Sequence, residues 1–214
     1  MPHKPLTAVL LALLFLGCSQ STAPPIVALE ATEGIVGRVV GISDGDTIKV
    51  LVDKQEVKIR LHGIDCPETG QPFGKAAKQF TSAQCFGKDV VVEVIDIDRY
   101  KRTVGVVLLL DGTIVNHEIV RAGLAWWYKQ YAPVDETIEG LEKEAKEAKR
   151  GLWADKNPIP PWDWRKGKRP EGTPVTYWLS ETGKRHNNTC KYYRNCKGRE
   201  CGSNEGTACK VCGG

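Results

Sequence analysis

The chain has 214 residues, of which 41% are hydrophobic and 26% are charged. This composition is typical of a packed domain of ordinary size with extensions, and it excludes a wholly disordered chain. The formal net charge is +4 and the sequence pI is about 8.6. This mild basic excess permits a polyanionic partner but does not require one.

The N-terminal segment has the features of an export signal. His3 and Lys4 precede an apolar run over residues 6–16, which is too short for a membrane-spanning helix. The Gly-Cys-Ser sequence centred on Cys18 resembles a bacterial lipoprotein signal, in which this cysteine becomes the lipidated first residue. Cleavage by an ordinary signal peptidase within residues 19–31 is the alternative. We therefore predict an exported cell-envelope lipoprotein or, in the alternative, a secreted protein.

Composition divides the chain into five segments. Residues 19–33 are polar and lack periodicity, and prolines and basic residues interrupt the periodicity again between residues 156 and 176. The predicted segments are a signal peptide (1–18), a tether (19–33), a folded domain (34–155), a Pro-rich basic linker (156–176) and a Cys-rich tail (177–214).

The folded domain is predicted to contain five strands and three helices. Strands are predicted over residues 35–42, 47–52, 55–61, 90–95 and 104–110. Helices are predicted over residues 74–85, over 116–123 with Asn116 as the N-cap, and over 135–150. In the third helix, Glu142 and Lys146 are expected to pair on the solvent face, opposite a buried stripe that includes Ala148. The order predicts a mainly β fold with helices (α+β class), namely a five-stranded OB-fold barrel with about three helices and a Cys-rich appendage.

A tight turn between the first two strands carries two carboxylates, Asp44 and Asp46. Gly45 separates them, and we expect it to adopt a backbone conformation that other residues avoid. An Asp-Gly turn between strands is also the commonest hairpin signal, so this turn alone does not indicate a functional site.

Two later segments supply further charged groups. The third strand places Arg60 on the face opposite its apolar residues, because side chains alternate along a strand. Asp65 and Glu68 follow, and Arg102 ends a turn that begins at Asp98. Each residue taken singly is explained as a loop acid or a surface charge. Together, two acidic clusters and two arginines are what a hard-cation site that cleaves a phosphodiester needs.

Four segments resemble, in this order, the staphylococcal nuclease (thermonuclease) family: residues 44–47, 60–68, 98–102 and 115–125. The resemblance extends over about residues 34–153, which is more than half of the chain. It implies an OB-fold barrel with helices. It also implies a calcium-dependent endonuclease that hydrolyses DNA and RNA phosphodiester bonds.

The resemblance further implies a metal site. Asp46, Asp65 and the backbone carbonyl of Cys66 would bind calcium, and Asp44 would lie in the outer shell. The family often has Thr at the position of Cys66, but a contact through the backbone carbonyl does not depend on the side chain. Calcium prefers such oxygen ligands and keeps some of its waters.

Catalytic and substrate-binding roles are implied in the same way. Glu68 would accept a proton from the attacking water or orient that water. Arg60 and Arg102 would clamp the scissile phosphate, since the guanidinium grips two phosphate oxygens. The expected substrate-binding residues are Arg99, Tyr100 and Tyr128. Aromatic rings stack on bases without reading their sequence.

Other functions remain open at this point. A non-catalytic OB module of the cell envelope that binds nucleic acid is the main alternative, and the presence of the whole set of charged residues favours the enzyme. In a further alternative, the tail is the functional part and the barrel a scaffold. We expect a monomer that takes DNA and RNA as substrates, contacts the membrane through its lipid anchor only and has no obligate protein partner.

The tail contains five of the eight cysteines. If Cys18 is lipidated, an odd number remains, which favours a metal site over a full set of disulfides. The spacing predicts that Cys190, Cys209 and Cys212 bind one zinc ion, with Cys201 or His186 as the fourth ligand. A disulfide knot is the alternative, because an exported protein permits disulfides.

Overall fold

The computed structural model describes residues 34–214. The predicted signal peptide, Cys18 and the tether lie outside the described residues. Within residues 34–214, no helix combines the length and the apolar character needed to cross a bilayer.

Five strands close into a barrel. The strands of the folded domain are β1 (Gly34–Asp44), β2 (Thr47–Val52), β3 (Gln55–Leu61), β4 (Ile64–Asp65), β5 (Asp89–Ile97), β6 (Thr103–Leu109) and β7 (Trp126–Trp127). The order around the barrel is β1-β2-β3-β6-β5, with β5 antiparallel to β1 and β6 parallel to β3. The predicted five-stranded OB-type barrel is confirmed. Each predicted strand is found, with ends shifted by at most two residues.

Helices cover the barrel. In the described part of the chain these are α1 (Gly74–Cys85), α2 (Val115–Arg121), α3 (Glu136–Glu147), a 3-10 helix (Gly151–Ala154) and α4 (Pro161–Arg165). Aliphatic side chains fill the core between the barrel and α2, among them Ile48, Ile59, Val92, Val107 and Ile119, all 0% exposed. Burial of such side chains is the main driving force for folding, at about 1.5–3 kcal/mol for each.

Asn116 does not cap α2, contrary to the prediction. The N-cap is Ile114, and Asn116 lies inside the helix with its side chain buried. The Asn116 side chain accepts a hydrogen bond from the Val107 N–H (3.0 Å) and donates one to the His62 carbonyl (3.0 Å). The residue therefore joins α2 to the barrel instead of satisfying the start of the helix.

The third predicted helix is shorter than expected. It ends at Glu147 because Lys149 adopts a left-handed conformation (φ 51°), and the Arg150 N–H then reaches back to the Ala145 carbonyl (2.9 Å). This pattern is a Schellman motif. Ala148 lies beyond the helix and is exposed, so its assignment to the buried stripe was wrong.

Glu142 also differs from the prediction. It pairs with Lys146 as expected (2.6 Å), but it is buried rather than on the solvent face. Its other oxygen accepts the Trp127 backbone N–H at 3.0 Å, so Glu142 holds β7 against α3.

Residues 156–176, which the sequence predicts as a linker, include α4. Proline is well tolerated at the first helical position, where no backbone donor is needed, and Pro161 occupies that position. The tail follows as a four-stranded sheet of β8 (Tyr177–Ser180), β9 (Lys184–Asn187), β10 (Gly198–Cys201) and β11 (Thr207–Ala208), in the order β10-β8-β9-β11.

Candidate active site

Two buried carboxylates meet at one end of the barrel. Asp46 lies in the turn between β1 and β2, and Asp65 ends β4, where it pairs with Trp126 of β7. Both side chains are nearly inaccessible, at 9% and 3% exposure. Asp46 Oδ2 accepts the backbone N–H of Cys66 at 2.6 Å, which ties the two segments together.

Arg60 bridges these carboxylates. Its Nη2 lies 3.2 Å from Asp46 Oδ2 and 3.0 Å from Asp65 Oδ1, and its side chain is 13% exposed. The Nη1 donor bonds to the Leu61 carbonyl at 2.7 Å, which fixes the plane of the guanidinium. Burial lowers the pKa of Arg60, but the charges of Asp46 and Asp65 outweigh it and hold that pKa above its ordinary value.

Asp44 adds a third carboxylate beside the pair. Its Oδ1 accepts the Asp46 backbone N–H at 3.3 Å. Burial, followed by the charge of Asp46, raises the pKa of Asp44 to about 6. Burial also raises the pKa of Asp65 to about 6, against the hydrogen bond from Arg165, which lowers it. The negative charges of neighbouring carboxylates repel one another and are costly to bury. A cation bound between them would offset that repulsion.

Gly45 is needed for close packing, not for an unusual φ. Its φ lies outside the left-handed region, so our expectation for this residue was wrong. A Cβ at this position would approach the Cβ atoms of Ala77 and Cys66 to 2.8 Å. The Gly45 carbonyl accepts the Thr81 hydroxyl at 2.6 Å. The acidic turn is therefore held directly against α1.

Glu68 lies next to the buried pair and is more exposed. Its backbone N–H donates to Gln71 Oε1 (3.1 Å), and its carbonyl accepts from the Gln71 N–H (2.8 Å). Its carboxylate contacts Arg165, whose Nη1 is 2.6 Å from Glu68 Oε1. The same guanidinium reaches Asp65 Oδ2 at 2.7 Å.

Arg165 was not identified from the sequence. It lies 100 residues from Asp65, in a stretch predicted to be a basic linker. The sequence nevertheless contains one feature that indicates a helix around Arg165. The proline in Pro-Trp-Asp-Trp-Arg suits the first turn of a helix, and a helix would place Trp162 and Arg165 on one face.

The second arginine predicted for the phosphate lies in a separate loop. Arg102 Nε donates to Asp98 Oδ2 (2.7 Å), and Asp98 Oδ1 accepts the backbone N–H groups of Tyr100 and Arg102. Arg99 and Arg102 both lie over the exposed Tyr100 ring, at 4.9 and 5.6 Å from its centroid. The loop thus presents two cations and an aromatic face to solvent.

Four of the five residues predicted as zinc ligands of the tail lie close together. His186, Cys190, Cys209 and Cys212 place their ligand atoms within 4.8 Å of one another. Cys201 is outside this group, because it ends β10 and β8 separates that strand from β9, which carries His186. Of the two alternatives for the fourth ligand, the structure therefore places His186, and not Cys201, beside the three cysteines. No cysteine within residues 34–214 forms a disulfide.

Comparison with known proteins decides the family. The family model described as Staphylococcal nuclease homologue matches residues 58–155. A protein of Escherichia coli O157:H7 named an uncharacterized endonuclease is 46% identical over 134 residues, which cover 63% of this chain and 87% of that protein. The chain belongs to the staphylococcal nuclease family. The family predicted from the sequence motifs is thereby confirmed.

Further relatives agree with this assignment. A micrococcal nuclease of Shigella flexneri is 42% identical over 153 residues, covering 67% of this chain and 88% of that protein. An uncharacterized endonuclease of Haemophilus influenzae is 41% identical over 133 residues, covering 62% of this chain and 74% of that protein. The chain is thus homologous to nuclease hydrolases. The family model ends at residue 155, so α4 and the tail lie beyond it.

Proposed function

We propose that this member of the staphylococcal nuclease family is a calcium-dependent endonuclease that hydrolyses DNA and RNA phosphodiester bonds. One observation carries the proposal. Two buried carboxylates, Asp46 and Asp65, share the guanidinium of Arg60, and Glu68 lies within reach of the same cluster. Burying these charged groups costs desolvation free energy even though they are paired, so a module that only binds nucleic acid would gain little from this set.

The donor set fits calcium. Asp46 and Asp65 offer hard oxygen ligands, and the backbone carbonyl of Cys66 adds a third oxygen. Oxygen ligands suit calcium, whereas imidazole and thiolate suit zinc. Cys66 contributes no thiolate, because burial, followed by the charge of Asp46, raises the pKa of its thiol well above the ordinary value. When bound here, calcium would polarise a phosphoryl oxygen and neutralise charge at phosphorus.

The remaining residues act on the substrate and on water. Arg60 binds two oxygens of the scissile phosphate and stabilises the charge that develops in the transition state. Glu68, which is half-exposed, accepts the proton of the attacking water or orients that water. Arg102, on the loop 98–102, is the second arginine that clamps the scissile phosphate, and Tyr100 on the same loop contacts the adjoining nucleotide.

Cleavage of single-stranded DNA by the purified protein is expected to occur in calcium and to stop in excess chelator. Magnesium is expected to substitute poorly, because it demands a near-ideal octahedron and dehydrates reluctantly. The measurement is the initial rate of cleavage in each metal. Undiminished cleavage in chelator would refute the calcium requirement. Binding of DNA without cleavage in any metal would support the non-catalytic alternative.

We also propose that His186, Cys190, Cys209 and Cys212 bind one zinc ion. Zinc bonds of about 2.3 Å to sulfur and 2.0–2.1 Å to nitrogen place tetrahedral ligand atoms about 3.6–3.8 Å apart. The His186 Nδ1 and Cys190 Sγ atoms are 3.4 Å apart. The Val211 N–H lies 3.4 Å from Cys209 Sγ, a hydrogen bond that favours the thiolate form. A small polar segment also needs a metal or crosslinks for stability.

Metal analysis of the non-reduced protein is expected to find one zinc ion per chain. The substitution Cys209→Ser should abolish stoichiometric zinc, whereas Cys201→Ser should retain it, because Cys201 lies outside the cluster. Thiol counting on the same samples separates the two alternatives. Tail cysteines that resist thiol reagents until they are reduced, in a protein without zinc, would indicate a disulfide knot.

A further inference from the structure

The helix α4 is held at both of its ends, by the active-site segment before it and by the tail after it. Before it, the Ile159 carbonyl accepts the side-chain amide of Gln71, the residue that also holds the Glu68 backbone. After it, Arg169 donates to the carbonyls of Trp164 and Asn188. The Arg169 guanidinium also lies 3.8 Å from the centroid of the Trp164 ring. A helix of this length is not stable alone, so these contacts define its position.

One face of α4 carries Trp162 and Arg165, which are three residues apart. The Trp162 ring stacks on Tyr128, with centroids 5.4 Å apart and planes inclined by 11°. It meets Trp126 edge to face, at 6.4 Å. Trp162 is half-buried, so its ring is not enclosed by these neighbours. Tyr128, the tyrosine predicted to face the substrate, is therefore partly covered by Trp162.

Arg165 uses only one edge of its guanidinium for the carboxylates. Its Nη1 and Nη2 contact Asp65 (3.3 and 2.7 Å), and Nη1 also contacts Glu68 (2.6 Å). These contacts use three of the five N–H donors of an arginine. Among residues 34–214, the hydrogen bonds from Arg165 to carboxylates leave its Nε–H donor, on the other edge of the guanidinium, unused, and the Tyr128 hydroxyl lies close to the same guanidinium. That edge has the bidentate geometry that fits a phosphate.

We propose that α4 forms a nucleotide subsite in which Trp162 stacks on an unpaired base and Arg165 binds the adjoining phosphate. The inference rests on the proposed nuclease function and extends it to a segment beyond the family model. Stacking on an indole needs a base that is free of its duplex partner, and it tolerates every base. The subsite therefore favours single-stranded nucleic acid without sequence preference.

Binding of a labelled single-stranded oligonucleotide in excess chelator tests this subsite. Because binding is measured without cleavage, failure of the calcium-dependent reaction would not affect the result. Trp162→Ala is expected to weaken binding about 10-fold, within the range measured for loss of one base stack. Trp162→Phe keeps an aromatic face and should retain most of the affinity. The loss of affinity caused by Trp162→Ala should disappear on an oligonucleotide that lacks bases.

Arg165→Gln is expected to weaken binding and to lower the slope of log K against log salt. Loss of one phosphate contact to a single strand lowers that slope by about 0.7. Trp162→Ala should leave the slope unchanged, which separates the two roles. Lys166→Gln is the matched control, because it removes the same charge from the adjacent exposed position and should change neither quantity.

Three results would overturn the subsite. Equal weakening by Arg165→Gln and Lys166→Gln would indicate only a diffuse charge effect. An undiminished effect of Trp162→Ala on the oligonucleotide without bases would exclude stacking. Tighter binding by Arg165→Gln would show that Arg165 obstructs the site. Thermal unfolding of each variant shows whether the domain remains folded, and Trp162→Leu and Arg165→Met, which keep bulk but lack the aromatic face or the charge, serve as second variants if the first ones disrupt it.

Discussion

Arg60→Ala is expected to slow cleavage by at least ~10²-fold, the usual loss when one preorganised group that stabilises transition-state charge is removed. Arg60 is buried between Asp46 and Asp65, so its guanidinium cannot be replaced by solvent or by a neighbouring side chain. The measurement is kcat at saturating calcium on single-stranded DNA. Thermal unfolding of the same sample confirms that the barrel persists.

Two matched variants make the Arg60 result specific. Arg60→Lys should restore little, because an ammonium group cannot grip two oxygens of one phosphate. Lys58→Ala removes a cation from the same face of β3, but at an exposed position, and it should leave kcat unchanged. Turnover near the wild-type rate in Arg60→Ala would show that this arginine has no catalytic role.

The barrel was predictable because its signals are local. Each strand has alternating or continuous apolar residues and is bounded by turn residues, so periodicity locates it to within two residues. Alternation also placed Arg60 opposite Ile59 and Leu61, both of which are buried. Alternation cannot show what this face of β3 contacts. The structure shows that it contacts the acidic turn that carries Asp46.

Local rules failed where a distant segment supplies the partner. The i,i+4 spacing of Glu142 and Lys146 predicts a surface pair, but the Trp127 backbone also needs an acceptor and draws Glu142 inside. Arg165 is the larger case. Nothing in the sequence near Arg165 indicates an acidic partner, because Asp65 and Glu68 lie on a different segment about a hundred residues earlier.

The contacts of Arg165 also change how substitutions at Glu68 must be designed. Deletion of the Glu68 side chain would remove a proton acceptor and, at the same time, a contact that holds α4. Glutamine keeps an oxygen that accepts from Arg165 but cannot take a proton from water. Glu68→Gln therefore isolates the chemical role, and Asp46→Asn is its counterpart at the metal site, since asparagine can still accept the Cys66 N–H.

Glu68→Gln is expected to lower kcat by ~10²-fold or more, the scale of general-base catalysis, and to leave the calcium concentration for half-maximal activity unchanged. Asp46→Asn is expected to raise that concentration about 10-fold or more, because the charge count of the ligands tunes calcium affinity. The two roles separate because Asp46 is buried at the proposed metal site, whereas Glu68 is half-exposed beside it. Matched calcium titrations of both variants measure the difference. Equal losses of calcium affinity would place Glu68 among the metal ligands and remove the basis for assigning it to the activation of water.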